Sequence, residues 1–186
     1  LDEGTGSTAT DNAGSNNGTI TGATWDTNTD IAHMTSTWKN VNNDALVRGA
    51  YSFDGVNDYI SVADNASLNF SDGNFSIGLW VNPESTQNAY ANIIGKGDVV
   101  SPYSGWVIQQ NNTTNNQYYL QTFYTTTNNE GTGDTFILSA NRWNHITITR
   151  SGSTISIYKD GVLITSHTVT QIDDSSDPLL IGNLAG

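Results

Sequence analysis

The chain has 186 residues, 18 Asp and Glu against 6 Lys and Arg, a formal net charge of -12 and no Cys. Without Cys there are no disulfides and no thiolate metal sites. Without a basic stripe, nucleic acid and unaided docking on an anionic membrane are both disfavoured, and no apolar run reaches the ~20 residues of a membrane helix, so no membrane insertion is expected.

Thr, Tyr, Trp, Phe and Ile favour strands, while Asn, Asp and Gly favour turns, so an all-β fold follows from residue type alone. In chain order, Leu1 to Thr10 has room for one short strand and Asp11 to Gly18 reads as a loop. Residues 23–48 lack clear periodicity and read as an irregular insertion with a short helix around Ile31 to Thr37. From Gly49 a strand rhythm begins. Ala50 to Phe53 and Tyr59 to Val62 flank the turn Asp54-Gly55-Val56-Asn57-Asp58. Phe75, Ile77, Leu79 and Val81 then alternate with Ser76, Gly78 and Trp80 at period two, the strand signature. Further strands are expected at Ala91 to Lys96, Gly105 to Gln110, Gln117 to Tyr124, Thr135 to Ser139, Trp143 to Arg150, Thr154 to Lys159, Val162 to Val169 and Leu179 to Ile181. Asn111 to Asn116 and Thr125 to Asn129 read as exposed loops, and Asp160-Gly161 is a two-residue hairpin turn. Short strands at this spacing predict a two-sheet antiparallel β-sandwich of the jelly-roll type. Phe75, Trp80, Trp143 and Trp106 are expected in its core.

Several of these segments, in order, resemble one family. Tyr51 to Ile60 is similar to an "FDG-x-x-D-Y-V" opening, and Asn74 to Val81 to an aromatic-led strand ending in Trp and an apolar residue. Ile93-Ile94-Gly95-Lys96, Trp143-Asn144-His145-Ile146, Ile157 to Gly161 and Leu180-Ile181-Gly182 match its later strands. The ordered set resembles the laminin G-like domains of the concanavalin A-like lectin and glucanase superfamily. The resemblance implies one jelly-roll domain over 1–186. It also implies a closing strand that the sequence lacks before Gly186, so an unpaired sheet edge is expected, open to copies of the chain or to a scaffold protein.

Catalysis is not expected. Glycoside hydrolysis needs two carboxyls about 5 Å apart or somewhat more, and Glu3, Glu84 and Glu130 are isolated in sequence. Calcium is the expected cofactor, because it takes six to eight oxygens from carboxylates, amides and carbonyls. Asp11 and Asn17 in one loop, with Asp54 and Asp58 in a second that converges on it, are the candidate ligands; Asp98, Glu130 and Asp134 form a weaker set. The bland alternative is that these residues only cap turns. A glycan or polysaccharide is the expected partner, held by amides and aromatic faces: Tyr90, Tyr103, Trp106, Asn115, Tyr119 and Tyr124 are the candidates. Against that stands the commoner role of a strand Tyr as a cross-strand packing partner. The functional expectation is a calcium-assisted lectin-like module outside a cell or on a virion surface. The competing expectation is a structural decoration, fibre or adhesin domain.

Overall fold

The computed structural model describes residues 4–26, 49–98, 103–124, 128–130 (backbone only) and 135–182. Among them, in chain order, the strands are β1 Thr8–Ala9, β2 Gly18–Thr21, β3 Thr24–Asp26, β4 Ala50–Ser52, β5 Tyr59–Val62, β6 Phe75–Val81, β7 Asn92–Lys96 and β8 Trp106–Gln110. They continue with β9 Gln117–Tyr124, β10 Asn128–Glu130, β11 Thr135–Ile137, β12 Asn144–Ser151, β13 Thr154–Lys159, β14 Val162–Thr168 and β15 Leu179–Ile181. The only helical piece described is a 3-10 turn at Ala66–Leu68, capped by the Asn65 side chain. No described helix is long and apolar enough to cross a membrane.

All pairings are antiparallel. The larger sheet runs β1-β2-β5-β15-β7-β8-β9-β10, with β11 also paired to β9. The smaller runs β14-β13-β12-β6, and β3-β4 form a separate ladder. One apolar core joins the two sheets. Trp106, Ile108, Tyr118 and Leu120 from the larger meet Ile146, Ile148, Ile155 and Ile157 from the smaller, with Phe136, Leu138, Val169 and Ile172 at its margins. This is the jelly-roll β-sandwich expected from the strand rhythm.

Local chemistry explains the turns. Asp160 and Gly161 both have positive φ, 51° and 80°, as a two-residue type I′ turn requires. Asn111 closes the β8–β9 hairpin by accepting from the Thr113 and Thr114 amides at 2.8 and 3.3 Å. Two buried cations tie loops to strands. Lys96 donates through Nζ to Asp64 at 2.7 Å and to the carbonyls of Ser175 and Asp177 at 2.5 and 2.9 Å. Arg150 donates only to carbonyls, those of Ser71, Gly152, Val169 and Thr170.

Three expectations change. Trp80 is 42% exposed on the outer face of the smaller sheet, tilted against His145 at 4.8 Å. It shares parity with Ser76 and Gly78, and period two overrides its bulk. Trp143 is half-buried rather than core. Asn128 and Asn129 belong to β10, paired with Tyr124 and Phe123, and not to a loop. The helix expected at Ile31 to Thr37 lies outside the described residues.

Candidate functional site

The face of the larger sheet turned away from the core carries the most organised polar chemistry described. In β8, Trp106 and Ile108 point to the core, which leaves Val107 and Gln109 on the other face. In β9, Tyr118 and Leu120 point inward, which leaves Tyr119, Gln121 and Phe123 outward. Strand register then lines up one row. Asn92 lies opposite Gln109, Gln109 opposite Tyr119, and Tyr119 opposite Thr135. Four strands at the usual spacing make this row about 14 Å long. Gln121 sits beside it, opposite Val107.

Gln109 is the hub. It is 5% exposed, and its Nε2 donates to Tyr119 Oη at 2.7 Å and to Gln121 Oε1 at 3.0 Å. Both amide hydrogens are thereby engaged. Tyr119 Oη accepts from Gln109, so its own hydrogen is left to donate outward. Burial pushes the Tyr119 phenol up from its ordinary range; the Gln109 hydrogen bond opposes this and the neighbouring Tyr90 phenol adds to it. Asn92 Oδ1 is buried with no hydrogen-bond partner. Tyr90, 51% exposed, stands at the rim on a left-handed backbone with φ 60°.

The loop bearing Tyr90 is strutted. Gln110 Nε2 donates to the carbonyls of Gln87 and Asn88, both at 3.2 Å. Asn115 accepts from the Gln87 amide at 3.0 Å and donates to the Ser85 carbonyl. Asn88 Nδ2 reaches the Gly55 carbonyl at 3.1 Å. Below the polar row the same face turns apolar, where Val107, Leu180 and Tyr59 pack together.

The structure thus sorts the six expected glycan contacts. Tyr119 is in the row and Tyr90 is beside it. Tyr103 is committed to stacking on Phe123, with centroids 5.2 Å apart and planes at 10°. Asn115 is a loop strut. Tyr124 has the inward parity of Tyr118 and Leu120, so it is not on this face. Trp106 is corrected outright: it is 3% exposed in the core, stacked near Phe70, because its position in β8 faces the other sheet. Asn92, Gln109 and Gln121 were not singled out from sequence. Parity with Tyr119 across a hairpin is the signal that finds them.

The expected calcium ligands do not come together as one set. Asp11 and Asn17 precede Gly18, which pairs with Val62, while Asp54 and Asp58 precede Tyr59, which pairs with Thr21. The two loops therefore sit at opposite ends of the β2–β5 ladder, about 10 Å apart along the strands. Each of these residues also accepts a local backbone hydrogen bond. Asp11 accepts from the amides of Ala13, Gly14 and Asn16, and these hold its carboxyl below its ordinary pKa, Asn16 first. Asn17 accepts from the Asp11 amide. Asp54 accepts from the Val56 and Asn57 amides, and Asp58 from the Asp54 amide. These hydrogen bonds fit turn capping. No group of three His, Asp or Glu able to hold a metal occurs among the described residues. Asp134 of the weaker set lies outside those residues.

Comparison with known proteins bears on the fold and the family. Domain 4 of AbnA, a GH43 extracellular arabinanase from Geobacillus stearothermophilus solved in complex with arabinotriose, superposes with a TM-score of 0.54. The match has 17% identity and covers 89% of this chain and 72% of that one. The receptor binding domain of botulinum neurotoxin type G gives 0.52 at 25% identity, covering 73% and 35%. The binding domain of botulinum neurotoxin DC, in complex with SialylT, gives 0.50 at 21% identity, covering 67% and 31%. The chain thus spans about a third of each toxin domain. No curated protein sequence matches it. The Laminin_G_3 family model matches residues 54–186, well over half of the sequence. With the ordered strand motifs and the sandwich now in place, the chain belongs to this family of the concanavalin A-like lectin/glucanases superfamily.

Proposed function

We propose that the chain is a non-catalytic carbohydrate-binding module that seats a glycan along the row Asn92, Gln109, Tyr119 and Thr135, with Gln121 and Tyr90 flanking it. One observation carries the reading. Gln109, nearly buried on a sheet surface, holds Tyr119 and Gln121 in fixed positions by two hydrogen bonds. Donors pre-oriented on rigid strands are what weakly binding hydroxyl ligands need, because little ordering entropy remains to be lost. Superfamily membership and the fold shared with an arabinanase domain solved with arabinotriose support it. The row carries amides and phenols rather than the facing carboxyls of glycoside hydrolysis, which supports binding without turnover. An extracellular setting agrees with a fold shared with an extracellular enzyme's domain.

The test is affinity electrophoresis and calorimetry against a polysaccharide panel with wild type, Gln109→Ala and Tyr119→Ala. At least one polysaccharide should bind the wild type, and both variants should lose about tenfold or more in affinity while remaining folded. Binding that survives both substitutions would place the ligand elsewhere.

A second reading, a structural or adhesive role through protein contacts, is favoured by β14. It pairs only with β13 among the described residues, and it exposes Val162, Leu163 and Ile164 at 64%, 52% and 44%. A bare apolar edge is a template for strand addition. Concentration-dependent association in sedimentation, abolished by Leu163→Lys, would favour it.

A further inference from the structure

We infer that this face is selective for uncharged glycans and excludes anionic ones; the inference rests on the carbohydrate-binding reading above and narrows its ligand class. The argument starts from where the cations are. The sequence has six, of which Lys96, Arg142, Arg150 and Lys159 lie among the described residues. Lys96 and Arg150 are 2% and 3% exposed, and their donors are engaged by Asp64 and by backbone carbonyls on the core side. Lys159 is on the smaller sheet with Nζ against Ser139 Oγ at 3.4 Å, and Arg142 lies in the turn before β12. Among the described residues, none faces the row.

The row itself is neutral throughout: Asn92, Gln109, Tyr119, Gln121 and Thr135. Its chemistry suits a ligand whose groups both donate and accept. Asn92 Oδ1 is a buried acceptor without a partner, and the Tyr119 hydroxyl and Gln121 amide have hydrogens to give. A sugar hydroxyl answers either kind. A carboxylate or sulfate meets no positive charge among the described residues while it is pressed onto nearly buried Gln109. Desolvating a charge against neutral donors alone is unfavourable. The net charge of -12 adds a longer-range repulsion. Salt of about 0.15 M shortens that field to ~8 Å, so the two contributions separate experimentally.

The test compares neutral polysaccharides (mixed-linkage β-glucan, galactomannan, pullulan) with the same polymers carboxylated at their free primary hydroxyls. Heparin and polygalacturonate serve as intrinsically anionic probes. The neutral form that binds should do so equally at about 0.02 M and about 0.5 M salt. Its carboxylated form should bind at least about tenfold more weakly at low salt and recover only in part at high salt. Gln121→Lys should raise affinity for the carboxylated form severalfold, which loss of a hydroxyl contact alone does not allow. Equal or tighter binding of the carboxylated polymer, or binding of heparin alone, overturns the inference and leaves the carbohydrate reading intact. Failure of every polymer, neutral and anionic, removes both.

Discussion

The Gln109 hub makes a quantitative demand. Gln109→Leu keeps the side chain's size but takes the donors from Tyr119 Oη and Gln121 Oε1, at 2.7 and 3.0 Å. Both acceptors sit on half-buried residues that water reaches, so the loss is at the low end for two hydrogen bonds, about 1 kcal/mol. Tyr119→Phe is costlier. It leaves one Nε2 hydrogen of Gln109, a residue 5% exposed, with no acceptor, at about 1–3 kcal/mol. The double variant removes both sides of the bond, so it should be less destabilised than the sum by about 1 kcal/mol. At this chain length that coupling corresponds to about 2–4 °C in the midpoint, within reach of urea titration and calorimetry. Tyr119→Phe should also weaken glycan binding by about 2- to 10-fold through loss of the outward hydroxyl hydrogen. Additive destabilisation, with coupling below about 0.3 kcal/mol, would refute the hub.

Other outcomes follow from the same geometry. Lys96→Met keeps the apolar stem but strips the Ser175 and Asp177 carbonyls and Asp64 of their donor, so urea unfolding should show a loss of about 2–4 kcal/mol. Burial pushes the Tyr118 phenol up to about 12 from 10.0. The unfolded chain therefore ionises first, so this contribution holds below about pH 10 and is lost as pH rises towards about 12; Tyr118→Phe should flatten that limb of the midpoint-versus-pH curve. Asp11 has the opposite sign. Its carboxyl is held low, so its contribution is present above 3.8 and lost as pH falls through the lowered value, and Asp11→Asn should blunt the acid limb. If Asp11, Asn17, Asp54 and Asp58 only cap turns, chelator and millimolar calcium should give the same thermal midpoint. A rise of several degrees with calcium, lost in Asp11→Asn or Asp54→Asn, would show that a metal displaces their amide partners.

The fold was legible because its signals are local. Alternation along Phe75 to Val81 gave β6, and Asp160-Gly161 gave the β13–β14 turn with both φ values positive. Trp80 has the outward parity of Ser76 and Gly78, and that parity rather than aromatic bulk decides its place. Lys96 and Arg150 were illegible as buried residues, since their partners are mostly backbone carbonyls of distant loops, which no residue type announces. The proposed site is legible only in part. Tyr119 and Tyr90 are aromatics that residue type picks out, whereas Gln109, which donates to Tyr119 and Gln121, is marked only by its partners across the ladder.

What separates the amides of the proposed row from those of the loops is the backbone beneath them. In a loop, amide and carbonyl groups lack ladder partners, and a nearby Asn or Asp side chain is recruited to them. Asn17, Asp11, Asp54, Asn111 and Asn115 are all consumed in this way. In a strand the ladder already satisfies the backbone, so an outward amide has only its neighbours on the face or a ligand to bond. Gln109 and Gln121 bond each other, Gln109 bonds Tyr119, and Asn92 Oδ1 is left over. In a chain this rich in Asn, Asp and Gln, composition alone cannot distinguish the two uses. Position does: outward amides at period two on paired strands, such as Gln109 and Gln121, bond one another, while the loop amides and carboxylates cap their own turns.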